Sequence, residues 1–512
     1  MKNPIYLILG SLLLAGVNLS AATLYVSTNS PDPQPPYATW STAATNIQDA
    51  VSSAEAGDFI VVTDGVYAGG VTVSNPVTLS SVNGANSTVI TGGGPCISLT
   101  NGASLTGFTV TGGQSNPIGG VLCSSSNVFL IDCVISNNIS LEAGVAGVIG
   151  GTLTNCTITD NNGGTAGIGG AYDSILNNCT ITDNIGDLTG GADDCTLTGC
   201  TVGENNCDND AGGALDCTLN SCIIADNSCA FLGGGVENCS LDDCLLYGNI
   251  AFGAGGGAFT SSLTNCTLSG NSATGDNPGP LGGGGAFGCT LNNCISYFNG
   301  APAGANYDTN SILNYCCTIP LPTTGFGNIT NNPLFVDAAD DNFQLQSNSP
   351  CINAGNNAYV TSPTDLAGNP RIVGGTVDIG AYEFQTPTSV ISYAYLQQYG
   401  LPTDGSVDDS DLDGTGFNVY QDWVAGLNPT NPASILAMLS PAPTNNLAGI
   451  TVRWKSVDGV QYLLQRSTNL LVQPVFPTIQ ENIPGQGGTN TYQDSSATNN
   501  TPYFYRVGVV AP

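Results

Sequence analysis

Leu130-Ile131-Asp132-Cys133-Val134-Ile135-Ser136-Asn137-Asn138 is the first of eight copies of one pattern. The pattern reads Leu, two residues, Cys, one residue, an aliphatic, two residues, Asn, with Ser296 in the aliphatic's place in the last copy. Its cysteines are Cys133, Cys156, Cys179, Cys200, Cys222, Cys244, Cys266 and Cys294. Its closing asparagines are Asn138, Asn161, Asn184, Asn205, Asn227, Asn249, Asn271 and Asn299, mostly 21 to 23 residues apart. A period in the twenties is that of a solenoid, in which each unit buries its apolar face only by stacking on its neighbours.

Within the repeat, Leu-x-x-Cys-x-aliphatic reads as strand, with Asn at a turn where it can bond the backbone of the next coil. Glycine pairs recur ahead of the main cysteines, as at Gly190-Gly191, Gly212-Gly213 and Gly234-Gly235, and call for φ freedom or close backbone approach. The strand half also fits a leucine-rich repeat, but residues 185–194, Ile-Gly-Asp-Leu-Thr-Gly-Gly-Ala-Asp-Asp, are too Gly-rich and leucine-poor for a helical layer. The expected fold is therefore all-β, a right-handed parallel β-helix.

Around this core the chain divides further. Lys2, the apolar run from Ile5 to Val17 and the small residues Ser20, Ala21 and Ala22 read as a signal peptide, residues 1–22. Ile47, Ala50, Val51 and Ala54 recur at helical spacing, giving a helix that caps the first coils of a solenoid spanning residues 23–331. The tail, residues 434–512, alternates as strands at Ile450 to Trp454, Gln461 to Gln465, Thr489 to Tyr492 and Tyr503 to Val507, and resembles a fibronectin type III β-sandwich. No second stretch is apolar enough to span a bilayer.

Export of a chain with 19 cysteines ordinarily implies disulfides. Here the cysteines are in register instead. A second column at Cys195, Cys217, Cys239 and Cys289 runs five residues ahead of the main one, with a partial third at Cys207 and Cys229. Inward thiols packed as small hydrophobes are expected, although stacked coils about 4.8 Å apart leave bridging open by distance. Zinc is excluded by the spacing and by the lack of any His.

Residues 24–67, with Tyr37-Ala38-Thr39-Trp40, Ala56-Gly57-Asp58-Phe59-Ile60-Val61-Val62 and Asp64-Gly65-Val66-Tyr67, resemble the opening of bacterial pectin-lyase-like β-helix proteins. Residues 332–384 resemble the choice-of-anchor Q domain, which commonly closes surface or secreted β-helices. The likeness is carried by Asn332-Pro333-Leu334-Phe335-Val336-Asp337, Ser349-Pro350-Cys351-Ile352-Asn353-Ala354-Gly355, Asp365-Leu366-Ala367-Gly368-Asn369-Pro370-Arg371 and Val377-Asp378-Ile379-Gly380-Ala381-Tyr382-Glu383. Residues 385–433 resemble a linker module of similar exported proteins. It contains a candidate calcium loop, with Asp411, Asp413, Thr415 and Asp422 at the first, third, fifth and twelfth places and Gly416 sixth. Thr415 stands where a third acid is usual, so a plain acidic Gly turn remains the alternative.

Charge limits the chemistry. The net charge is −32, and from Asn3 to Pro370 there is no Lys, Arg or His. Nucleic acid and anionic membranes are excluded as partners. The resemblance brings no specific activity: pectin-lyase-like polysaccharide lyases typically use an Arg or Lys base and polygalacturonase-like hydrolases usually carry a Gly-His-Gly element, and neither set exists here. Only a carboxylate mechanism remains. Four consecutive coils carry Asp160, Asp183, Glu204 and Asp226 just before the Asn column. In register they form a line of charges that repel by about 0.9 kcal/mol per neighbour in water, which would raise pKa values or recruit cations. Asp183 and Glu204 are the catalytic candidates, since adjacent rungs approximate a retaining glycosidase's carboxyl separation, but any such ladder gives that spacing. A solvated edge and a cation strip are the competing readings. Asp193-Asp194 with Asp216, and Asp242-Asp243, are shorter clusters of the same kind. The outward pairs Thr157, Thr159 and Thr180, Thr182 hint at an ice-binding lattice, but the row breaks at Gly203, Ala225 and Tyr247. The expectation is a secreted or cell-surface scaffold that binds extracellular polysaccharide or another surface ligand without cleaving it. The rival is a polysaccharide-degrading enzyme using carboxylates alone.

Overall fold

The computed structural model describes residues 21–275, 282–442, 449–471, 476–498 and 502–510. All but the last two residues of the expected signal peptide lie outside them.

Each repeat becomes one coil of a parallel β-helix. The Leu strand joins a 13-stranded sheet A, the aliphatic strand a 12-stranded sheet B, and the strand after the Gly pair a 10-stranded sheet C. A five-stranded ladder D follows the asparagines. Like residues pair: Leu130 with Leu153 and Leu176 in A, Ile135 with Ile158 and Ile181 in B, Val148 with Ala171 and Ala192 in C. All of these point inward and are fully buried, in one core that runs from Leu24 to Cys316.

The corners explain the residues that precede each cysteine and asparagine. Asp132, Asn155 and Asn178 turn sheet A into sheet B with φ of 52°, 53° and 52°, a left-handed conformation that Asn, Asp and Gly adopt most readily. The following cysteine then points inward. All 19 cysteines are buried free thiols, and burial pushes Cys123 and Cys289 up to about 12. Those two pack as hydrophobes and offer no thiolate near neutral pH. The glycine pairs serve close approach, not positive φ: a Cβ on Gly213 would stand 2.5 Å from the Gly235 carbonyl and 3.1 Å from Asn227 Cγ.

At the N-terminal end the expected helix forms as α1, Ile47–Ser53, with Asn46 as N-cap accepting from the Asp49 amide at 2.8 Å. Its Ile47, Ala50 and Val51 seal the first coils. Residues 332–384 lie along the outer face of sheet B. Phe335–Asp337 and Asn342–Leu345 pair antiparallel, and Phe335, Phe343, Leu345 and Ile379 pack on Leu245, Ile295 and Cys317 of the solenoid. The Asn356 amide donates to Asn293 Oδ1 at 2.8 Å, and the Ala381 amide to Thr267 Oγ1 at 3.0 Å. Arg371 completes the seam. Its guanidinium is buried, with Nε 3.1 Å from Asp243 Oδ1 on the solenoid and Nη1 3.8 Å from Glu383 Oε2.

Beyond it, the linker holds two short helices that the sequence reading did not anticipate, α2 (Tyr393–Gln398) and α3 (Val419–Val424). The tail forms two three-stranded antiparallel sheets around Val452, Trp454, Tyr462 and Leu464. Among the described residues no helix is long and apolar enough to cross a membrane.

Candidate functional site

The asparagine column is structural. Each side chain is buried and bonds the next: Asn184 Nδ2 donates to Asn205 Oδ1 at 3.0 Å, and Asn205 Nδ2 to Asn227 Oδ1 at 2.9 Å. Each also donates to a carbonyl on a preceding coil, as Asn205 does to Ile181 at 2.8 Å. The ladder thereby satisfies backbone groups that the tight turn leaves unpaired.

Asp160, Asp183, Glu204 and Asp226 do stand in line, because the strands before them pair in register. All four are exposed. Their φ values are 56°, 57°, 56° and 54°. The same left-handed corner is held by Asn137, Gly248 and Gly270 on neighbouring coils, so backbone geometry accounts for this column without a ligand. At Asp226, partial burial, then Asp341 across from it, raise the carboxyl above the usual range.

The shorter clusters fare differently. Asp243 is the buried partner of Arg371, and burial outweighs that cation to push it up to about 7. Asp242 accepts from the Thr361 hydroxyl of the docked module. Asp193 lies on the outer row of sheet C, where the register runs Tyr172, Asp193, Leu215, Glu237, Phe259, Phe287. Asp193 and Glu237 are each only 9% exposed. Burial, with Asp216 next for the first and Asp210 for the second, brings them to about 6 and about 7. Glu237 Oε2 is buried with no hydrogen-bond partner, and Phe259 and Phe287 stack beyond it at 5.3 Å and 7°. Sequence reasoning passed over Glu237, although an acid one rung from Leu215 in an aromatic row was a visible anomaly.

In the linker, Asp411 accepts from the amides of Gly414 at 2.8 Å and Gly416 at 3.0 Å, and Asp413 from that of Thr415 at 3.0 Å. Gly416 has φ of 91° at the place where a calcium loop turns sharply. Asp422 reaches back from α3. It is 1% exposed, and its Oδ1 and Asp413 Oδ2 are buried without hydrogen-bond partners. Burial, then Asp413 and Asp411, raise Asp422 to about 6. The oxygen donors suit a hard cation, yet no three acidic, His or Cys side chains are drawn together as a metal cluster among the described residues.

Two of the clefts bear on binding. One of about 690 Å³ lies past the last coil, lined by Tyr315, Asn328, Asn331, Tyr395, Gln398 and Trp423, without a charged group on its walls. The other, about 330 Å³, lies between the sheet B corners and the docked module, with Asp226, Tyr247, Phe298, Asp341 and Phe343 on its walls.

Two of the basic residues are held in ion pairs. Arg371 is sequestered as described, and Arg466 is paired with Asp494 in the tail at 2.7 Å.

The fold is a parallel β-helix of three main sheets. The solved structures similar to it include pectate lyase Pel9A, at 16% identity over 72% of this chain and 97% of that one, with a TM-score of 0.40. The A-module of the mannuronan C-5 epimerase AlgE6 of Azotobacter vinelandii matches at 11% identity over 56% and 95%, TM-score 0.33. The Dettilon tailspike protein matches at 12% over 59% and 68%, TM-score 0.33. At such values the likeness goes no further than the parallel β-helix itself. No family model and no curated protein matches the chain.

Proposed function

We propose that the chain is a secreted or cell-surface β-helix scaffold that binds extracellular polysaccharide, or acts as an adhesin, without cleaving its ligand. The observation that carries this is the fate of the cations: none occurs from residue 3 to 370, and the next, Arg371, is buried in an ion pair. A lyase base has nowhere to come from. The uncharged cleft of about 690 Å³, with tyrosine, tryptophan and amide side chains on its walls, suits sugar rings and hydroxyls. Residues 332–384 act in this reading as a choice-of-anchor Q-like module that fixes the solenoid's C-terminal half, and Asp411, Asp413, Thr415 and Asp422 hold calcium that stiffens the linker. The test is retention of the full chain on immobilised neutral and acidic polysaccharides, with a parallel assay for reducing ends and unsaturated uronates, with and without calcium. Retention without product supports a binding module; product formation that Asp183→Asn with Glu204→Gln abolishes overturns it.

A second reading, hydrolysis by carboxylates alone, draws on Asp193 and Glu237. They are two rungs apart, about 9.6 Å along the ladder, close to the wider separation of inverting glycosidases; near neutral pH Glu237, at about 7, keeps a proton to serve as general acid, while Asp193, at about 6, is mostly ionised as a general base must be. If product appears and Glu237→Gln removes it while the Asp183, Glu204 double variant does not, this reading replaces the first.

A further inference from the structure

The cleft of about 330 Å³ has features that the rest of the solenoid lacks. Its floor is two corners, Gly248 and Gly270, where earlier coils carry Asp or Glu. A Cβ on Gly248 would stand 2.1 Å from Asp226 Oδ1, so the glycine leaves room for that carboxylate. Asp341, itself at φ 56°, comes from the docked module and lines the same space. Neither acid has an ion-pair partner among the described residues, where only Arg371 and Arg466 form salt bridges. Three rings surround the pair. Tyr247 and Phe343 lie 5.4 Å apart, and Phe298 is 51% exposed. Phe298 also occupies the left-handed corner, φ 62°, a conformation that Asn or Gly adopts more readily than an aromatic residue. The Tyr247 hydroxyl is raised by burial, then by Asp341 and Asp226, which places all three groups within each other's field.

Two uncompensated carboxylates inside an aromatic frame recognise a cation carried on an apolar-faced ring. The carboxylates accept the N–H bonds of an ammonium, and the rings hold it by cation–π attraction and stack on the sugar face. The volume admits one or two pyranose units, and the field of a chain with net charge −32 draws such a polymer in. We infer that this cleft between solenoid and docked module binds a protonated amino sugar, a unit of a glucosamine-type polymer with free amines. The inference rests on the polysaccharide-binding reading and names its ligand class.

The experiment is calorimetric titration of the full chain at pH 6 with a glucosamine hexamer, its N-acetylated counterpart, and calcium chloride alone. Asp341→Asn and Phe298→Gly both suit a positive φ and keep the fold. Asp132→Asn, at a corner outside the cleft, makes the same charge change. The expected result is that the free-amine hexamer binds about tenfold or more tightly than the acetylated one. Asp341→Asn weakens it about tenfold and Phe298→Gly severalfold, while Asp132→Asn changes it less than about twofold. Equal weakening by Asp341→Asn and Asp132→Asn would mean diffuse charge attraction and overturn the site. Equal affinity for the two hexamers, or calcium that displaces nothing yet binds Asp226 and Asp341 alone, would overturn the ligand class. If neither hexamer binds but a neutral polysaccharide is retained, the cleft inference fails while the scaffold reading stands; if no glycan is retained, both fail.

Discussion

Asn205 shows how much one side chain can hold in a solenoid. Its amide donates to Ile181 O and Asn227 Oδ1, and its Oδ1 accepts from Asn184 N and Nδ2. Asn205→Ala leaves buried donors and a carbonyl unpaired on three coils, and should cost about 3 kcal/mol in chemical denaturation. A loss under about 1 kcal/mol would mean that water enters the turn. Glu204, next to it, tests the corner. At φ 56° it is a poor residue for the conformation, so Glu204→Asn should stabilise the fold by up to about 1 kcal/mol. A charge strip built for cations would instead lose cation binding with no gain in stability. The asparagine column was legible from spacing alone, because an inward amide at fixed register has few other uses. The acid column was legible as a line and obscure as a cause, since its mixture of Asn, Asp, Glu and Gly encodes a backbone angle that net charge masks.

At the scale of elements, the sheets followed from the repeat, and the docking of residues 332–384 did not. A clue lay in the outward position of sheet B, which reads Thr157, Thr180 and Thr201 in early coils, then Ile223, Leu245, Thr267 and Ile295. Apolar residues facing outward on a solenoid mark a covered face, and Leu245 and Ile295 are indeed only 2% and 1% exposed. Register over four coils cannot be read across a gap of more than a hundred residues, so the partner of Asp243 stayed hidden. Arg371→Ala leaves the partly ionised Asp243 carboxyl buried without its cation, and should cost about 3 kcal/mol at neutral pH. The measurement is limited proteolysis with denaturation: residues 332–384 should become cleavable before the solenoid unfolds. Simultaneous loss of both at an unshifted midpoint would show the ion pair to be dispensable. The two short helices of the linker escaped notice because six residues carry too little periodicity to register.

The whole molecule is acidic in a way that inverts the usual response to pH. Asp193 is raised to about 6 by burial, with Glu237 and Asp243 at about 7, and burial raises Asp378 and Glu383 as well. Each carboxyl holds its proton more tightly folded than unfolded, where Asp and Glu titrate near about 4. Between about pH 4 and 7, and up to about 9 for Glu383, the unfolded chain therefore binds fewer protons, and stability falls as pH rises through that window; the contribution is complete below it. Asp411, held below the usual range chiefly by the Gly416 amide, works in the opposite sense but sits in an exposed loop. Self-repulsion of a chain with net charge −32 adds to the decline, and salt should relieve that part while leaving the buried carboxyls unaffected. The melting temperature should thus be higher at pH 5 than at pH 8 by about 3 °C or more, with part of the difference surviving in high salt. Glu237→Gln should reduce the surviving part by that residue's share, because a neutral amide carries no proton to lose. A midpoint that rises from pH 5 to pH 8 would mean that these carboxyls ionise freely in the folded chain, and would remove the general-acid reading of Glu237 with them.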